Sequence, residues 1–248
     1  ITAFKVPSTV TKIAEAAFEG NLDIESITIP SSVTKIGDYA FYEMFGMKKF
    51  VVSSSNKNYC AQSGVLFTKS KKTLLSYPCD KSSKYYEVPY TTKTIDDEAI
   101  FSFNMKVIDI PSAVTKIGDF AIDYMGSLSL VGNSRVKSYV SANKKYSEGG
   151  MTYVARPGAV SKLKAKPSKK KVKLTWKKAS NASGYIIYRT SNNGKTWKKV
   201  KTIKKGSATS YTNSGLKKGK RYYYIVETYR TVKGYKVYCT TPKIIGVK

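Results

Sequence analysis

Hydrophobic positions repeat at a fixed distance through the first half of the chain. Phe4–Phe18 matches Ile27–Phe41 with an offset of 23 residues, and Tyr86–Ile100 matches Ile108–Ile122 with an offset of 22. The shared template is h-x-h-P-x-x-x-x-x-I-x-x-x-A-h, where h is a large apolar or aromatic residue. An h-x-h pair places two side chains on one face of a short strand, and the proline ends the strand because it has no N–H to donate. The pattern predicts stacked coils with a parallel sheet along one side, since one coil alone cannot bury its apolar face.

The stretch Ser53–Lys84 interrupts this period. Alternating apolar positions at Val65–Phe67 and Leu75–Tyr77 predict two strands within it, so we interpret it as an expanded repeat with a hairpin. Beyond the last repeat, Ser134 is the predicted N-cap of a short helix with one apolar side. A final strand is predicted at Met151–Val154. An atypical last unit of this kind closes the open end of a solenoid.

The near-copies IPSSVTKIGDYAF and IPSAVTKIGDFAI resemble the BspA-type leucine-rich repeat of bacterial surface proteins, over about residues 1–155. The segment NKNYCAQSGVLFTKSKKTLLSYP is similar to the interrupting unit of that family. Ala14 stands where the other copies carry Gly37 and Gly118, which is a small departure. The resemblance implies a leucine-rich-repeat solenoid with short parallel strands and an irregular or helical back side. It also implies a cell-surface or secreted location, a role in adhesion and no catalytic residues.

After the linker Arg156-Pro157-Gly158 the pattern changes to short alternating strands, separated by turns that contain Gly and Asn. Such strands at this spacing are typical of an antiparallel sandwich. The predicted strands are Lys171–Trp176, Gly184–Thr190, Thr196–Ile203, Thr209–Asn213, Arg221–Arg230 and Pro242–Val247.

This second region resembles a fibronectin type III domain over about residues 157–248. The resemblance implies that Trp176 is the buried core tryptophan and that Tyr185 or Tyr188 is the core tyrosine. The segment LKKGKRYYYIV matches the part of the family that holds its corner tyrosine. Tyr222 is therefore the candidate whose hydroxyl would bond to the upstream backbone.

The two patterns together predict a mainly β chain of two domains. Residues 1–155 form a leucine-rich-repeat solenoid, and residues 156–248 form an antiparallel Ig-like (fibronectin type III) β-sandwich.

Positive charge is concentrated in the second domain. The whole chain has 44 Lys+Arg against 16 Asp+Glu, a net charge of +28. Residues 157–248 hold 25 of these basic residues against the single acidic residue Glu227, hence +24. Such a field attracts polyanions, and lysine suits diffuse contact with phosphate more than the reading of base edges. The candidate polyanion contacts are the paired and tripled lysines Lys169, Lys170, Lys171, Lys177, Lys178, Lys198, Lys199, Lys204, Lys205, Lys217 and Lys218.

The residues argue against catalysis and against a metal or cofactor. The chain has no His, so the usual general base is absent, and its Cys spacing fits no metal site. The acidic run 96–98 lacks the spacing of a calcium loop and is interpreted as a solvated turn. Cys60 and Cys79 flank one irregular segment and could form a disulfide if the chain is secreted, the alternative being buried thiols. Cys239 is expected in a partly exposed loop.

These observations lead us to expect an interaction module of the bacterial cell surface or exterior. No apolar run reaches the length of about 20 residues that spans a bilayer. The abrupt start at Ile1 is interpreted as that of a piece of a longer protein. The solenoid would bind an extracellular protein or glycan, and the basic sandwich would act as a spacer or contact an anionic cell-wall polymer.

Two alternatives stay open at this stage. One is polyanion or nucleic-acid binding by the sandwich, with nucleic acid disfavoured by the dominance of lysine. The other is an accessory role within a larger surface enzyme. On the solenoid, the candidate contacts are aromatic residues in the loops after the Ala-h pairs, namely Tyr42, Phe45, Phe101, Phe103 and Tyr124.

Overall fold

The computed structural model describes residues 2–124, 126–146 and 150–248, with the backbone but not the side chain of Tyr124. Two compact units make up the chain, Ile1–Val154 and Ala155–Lys248. The first contains two clusters of buried apolar side chains and the second contains one, so each unit has its own core. The sequence-based boundary lies between residues 155 and 156.

The first unit is a solenoid built from short strands that recur in successive coils. Its described strands, in chain order, are β1 (Ala3–Lys5), β2 (Lys12–Ile13), β3 (Ser26–Ile29), β4 (Lys35–Ile36), β5 (Lys49–Val52), β6 (Tyr59–Gln62), β7 (Val65–Thr68), β8 (Thr73–Ser76), β9 (Tyr85–Glu87), β10 (Thr94–Ile95), β11 (Ile100–Ser102), β12 (Val107–Asp109), β13 (Lys116–Ile117), β14 (Ile122–Tyr124), β15 (Leu128–Gly132) and β16 (Met151–Ala155). Helix α1 (Ser134–Asn143) and a 3₁₀ turn (Lys144–Tyr146) lie between β15 and β16.

Parallel strand pairs form three ladders along the solenoid, where the repeat predicts one; the third ladder joins β11 to β14. In the first ladder, β3 lies between β1 and β5, and farther along β12 lies between β9 and β15. The second ladder joins β2 to β4, and β8 to β10 and β13. The register equals the sequence repeat, because Phe4 lies opposite Ile27 and Ile27 lies opposite Phe50. The apolar template positions therefore stack, and Ile27, Ile29 and Phe50 are buried.

The interrupting repeat forms the predicted hairpin, with β6, β7 and β8 paired antiparallel. Asn56 fixes its start. The buried Asn56 amide donates to the carbonyl oxygens of Pro30 (2.7 Å) and Val33 (3.0 Å), and its side-chain oxygen accepts from the N–H of Tyr59 (2.8 Å). The Tyr59 hydroxyl in turn accepts from the N–H of Ile36 at 3.0 Å. Side chains of the hairpin thus replace the backbone partner that a regular third coil would offer to β4.

The last unit contains the predicted short helix, but its N-cap is one residue earlier than expected. The side chain of Asn133, not that of Ser134, accepts from the N–H groups of Arg135 and Val136. Val136, Tyr139 and Val140 are buried on one side of α1. Among the described residues, no helix combines the length and the apolar character that crossing a membrane requires.

The second unit is an antiparallel sandwich of two sheets. Its strands are β17 (Ser161–Ser168), β18 (Lys171–Lys177), β19 (Gly184–Thr190), β20 (Lys198–Ile203), β21 (Ser210–Ser214), β22 (Tyr222–Val232), β23 (Tyr235–Tyr238) and β24 (Lys243–Val247). One sheet has the order β17-β18-β21. The other has the order β20-β19-β22-β23, with β24 also paired to β22.

Two of these strands were not predicted. In β17 the half-buried Leu163 and Ala165 alternate with lysines, and Pro167 follows, so the segment carries little apolar signal. Strand β23 is the short second arm of a hairpin that closes on β22 through the turn at Lys233-Gly234. Strand β20 also begins at Lys198, two residues later than predicted.

The fibronectin type III features occupy the expected positions. Trp176 and Tyr185 are buried with ring centroids 5.3 Å apart, so Tyr185 is the core tyrosine and Tyr188 is only half-buried. The Tyr222 hydroxyl accepts a hydrogen bond of 3.1 Å from the N–H of Lys217. Tyr222 is therefore the corner tyrosine, bonded to the upstream backbone as predicted.

All three cysteines are free thiols. The structure thus does not contain a Cys60–Cys79 disulfide. The Cys60 thiol donates to the carbonyl oxygen of Thr68 at 3.4 Å, and Cys79 is buried. The expectation of a partly exposed Cys239 is wrong, because this residue is 6% exposed and its N–H donates to the carbonyl oxygen of Thr228.

Close stacking of coils explains the glycine of the repeat template. A Cβ on Gly37 would lie 2.4 Å from the backbone nitrogen of Glu15, and a Cβ on Gly118 would lie 2.7 Å from the backbone nitrogen of Asp97. Both distances are far below van der Waals contact, so these positions accept only glycine without a shift of the coils.

We expect Gly37→Ala to lower the free energy of unfolding of the solenoid by about 1–3 kcal/mol, because the added Cβ overpacks the stack. Far-UV circular dichroism measures the loss. Fluorescence of Trp176 and Trp197, which both lie in the sandwich, provides an internal control. The matched variant Ala14→Gly adds no atom and should cost no more than about 1 kcal/mol. An unchanged stability of Gly37→Ala would contradict the tight stacking.

Candidate interaction surfaces

Part of the predicted lysine set converges on one groove of the sandwich. The groove has a volume of about 620 Å³ and lies between the β17–β18 turn, the β21–β22 loop and the end of β24. Its floor includes Val172, Leu216 and the ring of Tyr222. Its lysines, all exposed, are Lys169, Lys170, Lys171, Lys217, Lys218, Lys220 and Lys248. We call this site the lysine groove.

The other six predicted lysines do not line the groove. Lys171 and Lys177 stand at opposite ends of β18, about 20 Å apart at the rise of a β-strand. Those outside the groove are Lys177, Lys178, Lys198, Lys199, Lys204 and Lys205. Lys220 and Lys248 belong to the groove but were missed, because neither belongs to a run of lysines.

The lysine groove has no Asp or Glu side chain among its lining residues. Glu227, the single acidic residue of residues 157–248, lies on β22 and is half-buried beside Tyr188. Burial raises the pKa of Glu227, and a hydrogen bond from Tyr188 opposes that shift. The positive field at the groove is therefore not compensated locally, which suits a ligand with several negative charges.

The solenoid carries a second candidate surface. It lies at the corners of the coils, each of which follows a strand of the second ladder. One residue of each regular corner has a positive φ. These residues are Ala16 (54°), Tyr39 (56°), Glu98 (49°) and Phe120 (47°). Tyr39 is 45% exposed and Phe120 is 52% exposed. Both aromatic residues were missed in the sequence, because the pattern does not reveal which positions have a positive φ.

Regular corners are joined by backbone hydrogen bonds. The N–H of Ala16 donates to the carbonyl oxygen of Asp38 at 3.0 Å, and that of Glu98 donates to the carbonyl oxygen of Asp119 at 3.2 Å. A second hydrogen bond follows two residues later; for example, the N–H of Ile100 donates to the carbonyl oxygen of Ala121 at 2.9 Å. These bonds need corners of equal length in neighbouring coils.

The third coil has a shorter corner. Leu74 occupies the same repeat position as Ile95, and Tyr77 the same position as Ile100, because each makes the equivalent hydrogen bond to the next coil. Five positions separate the two residues in the regular corner but only three in the third coil. The third coil therefore has no residue that could accept a bond from the N–H of Tyr39, and none is found among the described residues.

A cleft of about 180 Å³ occupies this gap, between the corner of the second coil and that of the fourth. Its walls include Asp38, Tyr39 and Tyr42 on one side and residues 96–98 on the other, and Tyr59 and Leu75 contribute to its lining. We call it the corner cleft. Asp96 occupies the template position of Gly37 and Gly118, which a side chain can do here because the coil before it is short.

The corner cleft is negatively charged. The carboxylates of Glu98 and Asp97 raise the pKa of Tyr39, with Glu98 contributing most. Burial raises the pKa of Asp96, and Asp97 adds to this shift. The pKa of Glu98 is likewise raised, first by burial and then by neighbouring carboxylates. Among the described residues, no Lys or Arg forms an ion pair with these four carboxyl groups (Asp38, Asp96, Asp97 and Glu98).

Three of the predicted aromatic contacts pack together close to the same short corner. The ring centroid of Phe45 lies 5.5 Å from that of Phe101 and 5.4 Å from that of Phe103, and the latter two are 5.3 Å apart. Phe103 is 39% exposed, and the other two are half-buried. Burial raises the pKa of Tyr42 to about 12, with Glu98 adding to the shift. The predicted contact Tyr124 lies outside the side chains that the structure describes.

No group of three or more His, Cys, Asp or Glu side chains within the described part of the chain could hold a metal ion. Asp97, in the acidic run, has a structural role, since its side chain accepts from the N–H of Asp119 at 2.9 Å.

The fold is that of a leucine-rich-repeat solenoid followed in sequence by a fibronectin type III-like sandwich, a class of interaction domains. The family model of the BspA type Leucine rich repeat region matches residues 1–129 in six copies. This chain belongs to that family.

Solved structures similar to this chain include a cell surface protein and a vaccine antigen. One is a leucine rich cell surface protein from Faecalibacterium prausnitzii, with 29% identity and a TM-score of 0.47, covering 51% of this chain and 34% of that one. Another is the pneumococcal vaccine antigen PcpA, with 28% identity and a TM-score of 0.48, covering 50% of this chain and 32% of that one. The chain thus spans about a third of the length of each.

A further similar structure is an Fn3-like protein from Clostridium thermocellum. Its identity is 26% and its TM-score 0.28, covering 36% of this chain and 88% of that one. A search of curated proteins gave no match.

The raised pKa values of Asp96 and Glu98 predict that the ionised corner cleft lowers the free energy of unfolding, by an amount that depends on pH. A carboxyl group with a raised pKa in the folded state stabilises the fold at pH values below its unfolded pKa, and this contribution is lost as the pH rises through the folded pKa. We therefore expect Asp96→Asn/Glu98→Gln to increase the free energy of unfolding at pH 7. The gain should shrink toward pH 4.

Urea unfolding followed by circular dichroism at both pH values measures this difference. Asp23→Asn/Glu87→Gln is the matched control, because it removes the same two charges at exposed positions outside the cleft. A gain at pH 7 that is equal in both double variants would show that net charge, and not the cleft, is responsible.

Proposed function

We propose that this chain is a non-catalytic interaction module of the bacterial cell surface. In this proposal the solenoid binds an extracellular protein or glycan, and the sandwich holds an anionic cell-wall polymer in the lysine groove. The family supports the location, since the similar structures include a leucine rich cell surface protein. The aromatic rings exposed at the solenoid corners support the binding role, because exposed aromatic groups are enriched at protein interfaces.

One observation carries the role of the sandwich. Seven exposed lysines from three separate chain segments surround a single groove that no Asp or Glu side chain lines. A polymer of repeated phosphates could contact several of them at once, which releases counterions and strengthens binding. The groove lacks arginine among its lining residues, so it has no bidentate donor for base edges. A wall polymer therefore fits better than nucleic acid.

The test compares two fourfold variants of the intact chain. Lys169, Lys170, Lys217 and Lys218 are changed to Gln in the groove variant, and Lys177, Lys178, Lys198 and Lys199 in the control. The probes are purified poly(glycerol phosphate) wall polymer, a sulfated glycan and double-stranded DNA, each measured over a salt series. We expect the groove variant to bind the wall polymer about tenfold more weakly than the control, with a shallower salt dependence.

Equal losses in the two variants would mean that a diffuse field binds the polymer, not the groove. Tighter binding of DNA than of wall polymer would favour the nucleic-acid alternative. If the unaltered chain bound none of the probes, the sandwich would act as a spacer.

A further inference from the structure

We propose that the corner cleft binds a Lys or Arg side chain from an extended basic segment of a partner protein. This inference rests on the proposed function in one respect, since it names the class of partner for the solenoid. The sandwich and its lysine groove play no part in it.

The first step is that the cleft is an opening left by the backbone. The third coil is two residues short at its corner, so the corners of the second and fourth coils face each other without the usual hydrogen bonds. The N–H of Tyr39 has no partner among the described residues, whereas the equivalent N–H groups of Ala16 and Glu98 donate to the next coil. A carbonyl oxygen of a bound peptide could accept this hydrogen bond, as in strand addition.

The second step concerns what the cleft walls recognise. Tyr39 and Tyr42 place their ring centroids 6.4 Å apart at one wall. Glu98 is the main cause of the raised pKa of Tyr39, and it adds to the effect of burial on the pKa of Tyr42. Because the two rings meet edge to face, a cation would bind on an open ring face, where it would gain cation–π attraction and charge-assisted hydrogen bonds to the neighbouring carboxylates. Within the described residues no Lys or Arg forms an ion pair with these carboxyl groups, and the positive charge of Lys116 only partly offsets the raised pKa of Asp96.

The third step is the apolar surface next to the cleft. Phe45, Phe101 and Phe103 come from the same two coils that form the cleft walls and extend the surface beyond the acidic corner. A peptide that places one basic side chain in the cleft could rest neighbouring apolar atoms on these rings. Such a combination of a central anchor and an aromatic surround is typical of protein interfaces.

Charge complementarity selects the occupant. A sulfated or phosphorylated glycan would be repelled by Asp38, Asp96 and Glu98, and a neutral glycan would leave these carboxylates unpaired. A basic protein segment pairs them and uses the aromatic rings as well.

The experiment uses the intact chain and three fluorescent decapeptides of alternating glycine with Lys, Arg or Glu. Fluorescence anisotropy at physiological ionic strength measures the dissociation constants. We expect the Lys and Arg peptides to bind, and any binding of the Glu peptide to occur through the lysine groove and to be unaffected by variants of the corner cleft. Asp38→Asn/Glu98→Gln should weaken binding about tenfold or more, and Tyr39→Ala should weaken it by a similar factor.

The matched control is Asp23→Asn/Glu87→Gln, which removes two exposed carboxylates elsewhere and should change the dissociation constant by about twofold or less. A photo-crosslinking Lys peptide, mapped by mass spectrometry, should attach within residues 38–45 or 96–103. Circular dichroism shows whether each variant keeps its fold, and the isosteric amide variants keep the side-chain volumes.

Several results would overturn the proposal. These are basic peptides that do not bind, equal weakening by the control pair, and crosslinks outside the two segments. Self-association of the intact chain that Asp38→Asn/Glu98→Gln abolishes would also overturn it, because the occupant would then be a second copy. Wall-polymer binding in the same preparations reports separately on the lysine groove, so a failure here is distinguishable from a failure of the proposed function.

Discussion

The hydrogen bonds between consecutive coils are the constraint on which the solenoid depends. A donor such as the N–H of Gly37 reaches the carbonyl oxygen of Ile13 only while neighbouring coils stay in register, and the same contact distance leaves no room for a Cβ at Gly37. Each corner must therefore supply as many residues as the corner before it. Where this holds, backbone hydrogen bonds join neighbouring corners. Where one coil is short, the backbone stays open and the corner becomes a binding surface.

The third coil replaces the missing hydrogen bonds between coils at the start of its hairpin but not at its short corner. Asn56 and the Tyr59 hydroxyl satisfy backbone groups of the second coil that the hairpin would otherwise leave unpaired. At the short corner no such replacement occurs, and the space is lined by aromatic rings and carboxyl groups with raised pKa values. Carboxyl groups that are partly desolvated and form no ion pair cost stability, and such groups concentrate at functional sites. The lysine groove of the sandwich presents the opposite charge, again without local compensation.

Much of the fold could be predicted from the sequence, because the spacing of Pro30, Ile36 and Phe41 recurs and each position has one structural role. Tyr222 could be placed because the segment LKKGKRYYYIV resembles the part of the fibronectin type III family that holds its corner tyrosine. Other features depend on contacts that no local pattern encodes. Strand β17 has too few apolar residues to be recognised, and Asn133 and Ser134 are both good N-caps, so only the helix geometry decides between them. Lys220 and Lys248 join the lysine groove through folding, and the corner cleft appears only once Leu74 is identified with Ile95 by its hydrogen bond.

Amide hydrogen exchange, followed by NMR on the intact chain, tests the open corner most directly. The N–H groups of Ala16, Tyr39 and Glu98 occupy equivalent corner positions, and those of Ala16 and Glu98 donate to the next coil. The account predicts that the Tyr39 amide exchanges much faster than the Glu98 amide, and that a bound Lys peptide slows it. Protection of Tyr39 equal to that of Glu98 in the free chain would mean that the corner is closed, and it would contradict the account.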